Sequence, residues 1–451
     1  MIEPDWTALI PAIVAIATAI LSRRPVESLL AGVFAGLLLL GPSSAITSFS
    51  EILLRVMMDE TIAWVIIVCG LMGSLITLLM RVGAAGAFSR VLSARASDGR
   101  SALLYTWVMG LVIFIDDYLN ALAVGSSMRK VTDKFRVSRE MLAYVVDSTA
   151  APMCMLVPIS TWAVFFAGVL EVSEVAAAGE GMSLFVSSIP YMLYCWIAVL
   201  MVPLVAMGFI PAIGPMKTAQ RRAAADDATI AVAHQFEVEE LPQTAGRVRM
   251  YHFLLPIVVL LAASGYYDLD VQIGIIVCVA FTISLYGLQN LMGWTDMFDS
   301  VLEGIKIMVP ALTIVVVAFI FKDVNDQLGL AVYVIENVQP LMTPILLPAV
   351  VFITMSLIAF ATGSSWGVFA IAIPIVMPLA DSMGVSQPLA IGALMSASAF
   401  GSHACFYGDA TVLAAQGSGC GVMEHALTQL PYALIAAMLA TAGLTMLAVL
   451  A

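Results

Sequence analysis

Charged residues are scarce in this sequence. Asp, Glu, Lys and Arg make up 11% of its 451 residues, and 61% of the residues are hydrophobic. A soluble domain carries about 25% charged residues, so the composition excludes a soluble globular fold. Because one helical crossing takes about 20 apolar residues, the chain can hold roughly ten to thirteen membrane segments. We expect an all-α polytopic membrane protein.

The six cysteines show no metal-binding or disulfide pattern. None belongs to a CxxC pair and no HExxH motif occurs, so the sequence excludes a zinc signature and a disulfide framework. Asp409 follows Gly408, but this stretch lacks the Gly-x-Gly-Asp spacing of an intramembrane aspartyl hydrolase. We therefore expect neither an enzyme nor a resident cofactor.

The charges that are present indicate topology rather than a nucleic-acid partner. The net charge is -12, and the basic residues lie in short loops between apolar runs instead of forming one patch. Basic loops face the cytoplasm, and loops without Lys or Arg, such as 171–180 and 268–270, face the other side. The acidic N-terminus lacks the positive start of a signal peptide, so we expect its apolar run to remain as a helix.

The apolar run 102–128 breaks this alternation because basic loops flank it on both sides. Its ends should then lie on the same side of the membrane. The run is long enough for two half-helices of about 12 residues, or about 18 Å, each. We predict a re-entrant hairpin that turns near Asp116 to Asn120 inside the protein.

The remaining runs divide the chain into two halves around a polar segment. Residues 1–210 form a first membrane repeat, 211–250 a cytoplasmic linker, and 251–451 a second repeat with a hairpin over 341–380. With an odd number of crossings in each half, the second repeat is inverted, as in alternating-access carriers. We expect about ten transmembrane helices, two re-entrant hairpins and several broken helices. The chain should lie in a bacterial cytoplasmic (inner) membrane, with both termini extracytoplasmic.

Polar residues interrupt four segments, and we predict that they form the ion or substrate site. Asp116 and Asp117 lie at the tip of the first hairpin, and Asn120 follows one turn later. A carboxylate at membrane depth is costly unless something compensates it, and carboxylate and amide oxygens suit a hard cation such as Na+. The alternative is that one Asp caps a half-helix.

The second interrupted segment reads Asp147-Ser148-Thr149, followed by Pro152. Proline removes a helical hydrogen bond and frees a carbonyl of the preceding turn. Free carbonyls, the Asp147 carboxylate and the two hydroxyls would form an oxygen cage for a dehydrated cation. The alternative is a proline kink in which the Asp bonds to a neighbouring helix.

The third interrupted segment is Thr362-Gly363-Ser364-Ser365, in the second predicted hairpin. These small residues permit a tight turn that exposes backbone amides to a ligand. Small residues also pack membrane helices closely, which is the competing interpretation.

The fourth segment contains Ser398, His403 and Asp409. His403 would titrate near neutral pH if it carries protons, or it donates an interhelical hydrogen bond. The pair Lys322-Asp323 follows an apolar run and is interpreted as a snorkelling pair at the interface. The alternative is a lysine that holds an organic carboxylate.

Taken together, these motifs resemble the NhaC family of sodium/proton antiporters, within the wider ion transporter superfamily. The resemblance covers nearly the whole chain. The stretches that carry it are Asp116-Asp117-Tyr118, Ser138-Arg139-Glu140 through Asp147 to Pro152, Thr362 to Gly367, and Thr428-Gln429-Leu430-Pro431-Tyr432-Ala433. It implies sodium/proton antiport, and we expect Asp116, Asp117 and Asp147 to bind Na+ or H+ in turn during alternating access.

The sequence departs from the family pattern after Gly401. Family members often read Gly-Asp-His-Cys-Ser-Pro where this chain has Ser402, His403 and Ala404, so one expected carboxylate is missing. Some similar proteins exchange malate and lactate or are classed as amino-acid carriers. A sodium- or proton-coupled carrier of a small organic solute is therefore the alternative function, and a channel is a further one. Carriers of this type often dimerise, which allows a homodimer.

Overall fold

The computed structural model describes residues 5–22, 24–93, 95–225, 247–267, 270–330, 333, 342–362, 365–406 and 408–450. Within these ranges all regular structure is helical. The helices are α1 (Ile10–Ser22), α2 (Pro25–Leu40), α3 (Ala45–Met57), α4 (Glu60–Arg81), α5 (Ala84–Ser93), α6 (Gly99–Val112), α7 (Asp117–Lys134), α8 (Arg139–Thr149), α9 (Ala151–Leu156), α10 (Thr161–Val172), α11 (Gly181–Ser188), α12 (Leu193–Met207), α13 (Pro215–Ala224), α14 (Tyr251–Tyr266), α15 (Val271–Leu288), α16 (Trp294–Gln327), α17 (Leu347–Thr362), α18 (Ser365–Ser382), α19 (Gln387–Ala404), α20 (Asp409–Ser418) and α21 (Val422–Leu450).

Length and apolar composition identify the helices that can cross a membrane. Four of the described helices do so alone, namely α4, α15, α18 and α21, and the number rises to seven if each of three bent helix pairs is one span. The strongest bend, 54°, separates Gly181–Tyr191 from Leu193–Met207. The chain is therefore an all-α, multi-pass membrane protein with broken helices, which confirms the predicted fold class. The count of ten crossings and the inverted repeat remain predictions.

Helices break where the polar residues interrupt the apolar runs. Residues 113–116 separate α6 from α7, Ala150 separates α8 from α9, and α19 ends at Ala404 before α20 begins at Asp409. The third predicted turn, with Gly363 and Ser364, lies outside the described residues. Residues 113–116, Ala150 and Cys405 are buried, so the interrupted backbone at these positions faces protein.

Short amphipathic helices were not predicted from the sequence. One of them, α13, lies in the segment interpreted as a linker, and its Met216 and Ala219 are buried. Arg222 Nη2 on this helix lies 2.7 Å from Glu140 Oε1 on α8. Helices α3 and α5 are further short elements, and α3 buries Ala45, Ile52 and Val56. The beginning of the linker is thus a helix docked on the membrane domain.

Two long helices, α4 and α16, cross at a pair of glycines. A Cβ atom built on Gly304 would overlap the Gly73 carbonyl group and Cα of Ser74, and one built on Gly73 would meet Gly304 in return. Ser74 Oγ also donates to the Val301 carbonyl at 2.9 Å. Close backbone approach at small residues is a common way to pack membrane helices.

Candidate functional site

Asp116 begins helix α7 as its N-cap. Its Oδ1 accepts hydrogen bonds from the backbone N–H groups of Tyr118 at 3.0 Å and Leu119 at 3.1 Å. Its Oδ2 accepts from Thr161 Oγ1, 3.1 Å away at the start of α10. The capping interpretation therefore holds for Asp116, since such a carboxylate satisfies the first N–H groups of a helix. The residue is 4% exposed.

Asp117 lies beside it and contacts the next residue of α10. Trp162 Nε1 donates to Asp117 Oδ1 at 3.0 Å. The Trp162 ring packs against Trp366 near the start of α18, with ring centroids 4.9 Å apart. The tip of the first predicted hairpin therefore lies next to a helix of the second half of the chain.

Asn120 connects three helices around this tip. Its Nδ2 donates to the carbonyl of Gly110 on α6 at 2.9 Å and to the carbonyl of Thr149 on α8 at 2.8 Å. Its Oδ1 has no hydrogen-bond partner among the residues that the structure describes. The Thr149 hydroxyl bonds within its own helix, to the Val145 carbonyl at 2.9 Å. Thr149 thus contributes its backbone carbonyl to this junction.

Replacing Asn120 by Leu should destabilise the protein by about 2 kcal/mol, because two buried carbonyls would lose their donor. We expect a lower midpoint of thermal unfolding for purified Asn120→Leu in detergent. Ser126→Ala is the control, since the partners of Ser126 among the described residues are carbonyls of its own helix, those of Leu122 and Ala123. Equal midpoints for the two variants would contradict the bridging role.

Asp147 is fully buried at the end of α8. Gln429 Nε2 donates to Asp147 Oδ2 at 2.7 Å, and His425 Nε2 lies 3.1 Å from the same oxygen. Asp147 Oδ1 has no hydrogen-bond partner within the described part of the chain. The carboxylate thus bonds to a neighbouring helix, as the structural alternative predicted, but through one oxygen only.

His403 is connected to Asp147 through Gln429, and these residues form one hydrogen-bond network. Its Nε2 is 2.9 Å from Ser148 Oγ, its Nδ1 is 2.6 Å from Tyr194 OH, and its backbone carbonyl accepts from the Gln429 amide. These side chains are buried. His403 therefore makes the interhelical hydrogen bonds that were its alternative interpretation, and it joins α8, α12 and α21.

Sequence reasoning did not assign His425, Gln429 or Tyr194 to the site, although Gln429 lies in one of the stretches that carry the family resemblance. His425 and Gln429 are four residues apart, so they lie on one face of α21. That spacing is a signal which the sequence contains, because both polar side chains occur in an apolar helix. Nothing in the sequence marks Tyr194, which lies in the apolar run of α12.

Ser365 and Ser398 connect the third and fourth predicted segments. Ser365 Oγ donates to the Ser398 carbonyl at 2.8 Å, and Ser398 Oγ donates to the Ser365 carbonyl at 3.4 Å. Thr362 is the last residue of α17 and Asp409 the first of α20. The predicted residues whose contacts are described therefore belong to one region, formed by both halves of the chain. Their roles in binding remain predictions.

Lys322 lies within α16 rather than after its end. Its Nζ is 2.9 Å from Glu174 Oε1 and 3.2 Å from Asp326 Oδ2, and its side chain is 15% exposed. Asp323 Oδ2 is 3.5 Å from Arg55 Nη2. Lys322 thus pairs with Glu174 and with Asp326 of its own helix and is largely buried, unlike the snorkelling pair that was predicted. A role for Lys322 in holding an organic carboxylate stays a prediction.

Comparison with known sequences gives a family and two relatives. Residues 171–449 match the sequence model of a Na+/H+ antiporter family. An uncharacterized protein of Haemophilus influenzae is 29% identical over 95% of this chain and 88% of its own length. A malate-2H+/Na+-lactate antiporter of Bacillus subtilis is 26% identical over 37% of this chain and 35% of its own length.

Two solved structures resemble the fold. Neisseria gonorrhoeae MtrF, described with a class of antimetabolite efflux pumps, has a TM-score of 0.58 and 12% identity over 90% of this chain and 84% of its own. The Alcanivorax borkumensis YdaH transporter has a TM-score of 0.56 and 14% identity over 90% and 88%. At these identities the similarity concerns the fold alone.

Proposed function

Because the chain belongs to the Na+/H+ antiporter family, we propose that it exchanges sodium for protons across the membrane by alternating access. It is a secondary transporter; the exchanged species are the proposal. The observation that supports it most directly is Asp147, a fully buried carboxylate with one oxygen that has no partner among the described residues. A buried carboxylate oxygen without a partner is costly, and a bound cation or proton at that oxygen removes the cost.

Exchange follows from competition at this carboxylate. Asp147 accepts either a proton or a cation at its open oxygen, so release of one species accompanies binding of the other. Asp116 and Asp117, which lie at the neighbouring hairpin tip, add negative charge next to the Asn120 bridge to α8. Alternate exposure of the site to the two sides of an inner membrane then couples the two fluxes. The two repeats, 1–210 and 251–451, would move around the site, as a monomer or within a homodimer.

Exchange of a small organic solute is the second candidate function. The antiporter of Bacillus subtilis that resembles part of this chain carries malate and lactate together with protons and Na+. In that case the cation and the proton would drive solute movement, and the same Asp147 would serve as the coupling site. The two functions differ in whether ion exchange occurs without an organic solute.

An exchange assay in proteoliposomes tests the two candidates. We expect sodium added outside to raise the internal pH, reported by an enclosed dye, as Na+ enters and protons leave. Lithium, potassium and choline salts are compared at equal ionic strength, with and without malate, lactate or amino acids. A pH change only in the presence of an organic solute would replace sodium/proton antiport by the second candidate. No pH change under either condition would contradict both.

A further inference from the structure

The hydrogen-bond donors around Asp147 leave two oxygens open. His425 and Gln429 both approach Asp147 Oδ2, so Oδ1 is the open carboxylate oxygen. Gln429 donates its amide N–H groups to Asp147 and to the His403 carbonyl. Its own carbonyl oxygen, Oε1, has no hydrogen-bond partner among the described residues. Both residues are at least 99% buried, so bulk solvent does not reach these oxygens.

Asp147 Oδ1 and Gln429 Oε1 are therefore two buried oxygens that could bind a ligand together, because a hydrogen bond joins their side chains. Buried polar atoms are normally paired, and unpaired ones cost free energy unless a bound species contacts them. Carboxylate and amide oxygens are ligands for hard cations. In the described residues, His, Cys, Asp and Glu form no group of three that could hold a metal ion. A cation at Asp147 therefore needs ligands other than these four side-chain types, and Gln429 offers an amide oxygen on the residue bonded to Asp147.

We propose that Gln429 is a direct ligand of the transported cation, which binds between Asp147 Oδ1 and Gln429 Oε1. The inference rests on the proposed function and assigns its cation site. His425 is a positioning residue, because it holds Asp147 Oδ2 and thereby leaves Oδ1 for the ligand. Backbone carbonyls or water complete the coordination of a monovalent ion such as Na+.

The hairpin tip is a weaker alternative location for the same cation. Both oxygens of Asp116 already accept hydrogen bonds, two from backbone N–H groups of α7 and one from Thr161. A cation there would compete with the helix cap. The Asp147 and Gln429 pair requires no such exchange of partners.

Cation binding to the purified full-length protein tests the proposal without transport. We expect NaCl, balanced with choline chloride, to raise the unfolding temperature of the wild type in a saturable manner. Gln429→Asn moves the amide oxygen back by about one methylene, about 1.5 Å. Its half-saturating Na+ concentration should rise at least tenfold, and its preference between Na+ and Li+ should change. A purely structural glutamine would lower the unfolding temperature without altering either quantity.

Gln289→Asn is the matched control, because Gln289 also bonds to a histidine, His252, with 2.8 Å between Oε1 and Nε2. It should leave the half-saturating Na+ concentration unchanged. Gln429→Glu keeps an oxygen at the same distance and should still bind Na+ at alkaline pH, which covers the case that Gln429→Asn does not fold.

Three outcomes would overturn the assignment of Gln429. They are an unstabilised wild type, unchanged binding and Na+/Li+ preference in Gln429→Asn, and a folded Gln429→Glu that no longer binds. A wild type that binds Na+ but exchanges no protons would support the site and contradict the proposed function. Exchange by the wild type together with unchanged cation binding in Gln429→Asn would support the proposed function and contradict the assignment of Gln429.

Discussion

Asp147→Asn should reduce sodium-driven proton flux at least 100-fold while the protein still folds. Asn has nearly the shape of Asp and can still accept a hydrogen bond from Gln429 or His425, so packing at the end of α8 is kept. It carries no charge and takes up no proton, so it loses both species that the proposed exchange requires. The measurement is internal pH in proteoliposomes after addition of sodium, with the amount of reconstituted protein determined for each variant.

Asp133→Asn is the matched control for this substitution. Asp133 is also a carboxylate with an ordered partner, Arg139, whose Nη2 lies 3.2 Å from its Oδ2. Its side chain is 23% exposed, so removing the charge there should change transport less than twofold. If Asp147→Asn transported as well as this control, Asp147 would not be the exchange site. Loss of transport in both variants would indicate a general effect of charge instead.

Polar residues in apolar runs made part of this site visible in the sequence. Four polar residues each interrupt a hydrophobic segment, namely Asp116, Asp117, Asp147 and His403. A charge or a ring nitrogen is costly there unless a partner compensates it. Which partner satisfies each of them depends on helices that are distant in sequence. His425 and Gln429 reach Asp147 across 278 and 282 positions, and no local pattern specifies that pairing.

For the fold, too, local sequence patterns predict some features, whereas others depend on contacts between residues that are distant in sequence. Hydropathy identifies the apolar helices, and polar interruptions identify where they break. The amphipathic helix α13 was missed because its buried face consists of few residues, among them Met216 and Ala219, in a polar stretch. Its position over α8 depends on Glu140 and Arg222, which meet only after folding. Sequence patterns thus located the helix breaks, whereas tertiary contacts determine which residues pair with the polar side chains there.

The crossing of α4 and α16 should be the most sensitive structural position away from the site. Gly304→Ala places a Cβ atom against the backbone of Gly73 and Ser74, and backbone cannot yield as a flexible side chain does. Overpacking a tight contact costs about 1 to 3 kcal/mol and sometimes more. We expect a loss near the upper end, about 3 kcal/mol, seen as a large drop in unfolding temperature and in monodisperse yield from detergent.

Gly265→Ala separates this steric effect from the general effect of changing glycine in a helix. A Cβ atom on Gly265, in α14, meets no atom of the other described residues within 4 Å, and Ala favours a helix over Gly by about 0.5 to 1 kcal/mol. This control should be neutral or slightly stabilising, and equal unfolding temperatures for the two variants would contradict a tight crossing. Gly304→Ala should lower stability to the same extent with and without Na+, whereas Asp147→Asn should remove only the part that depends on Na+. The two variants together therefore distinguish the framework of the transporter from its cation site.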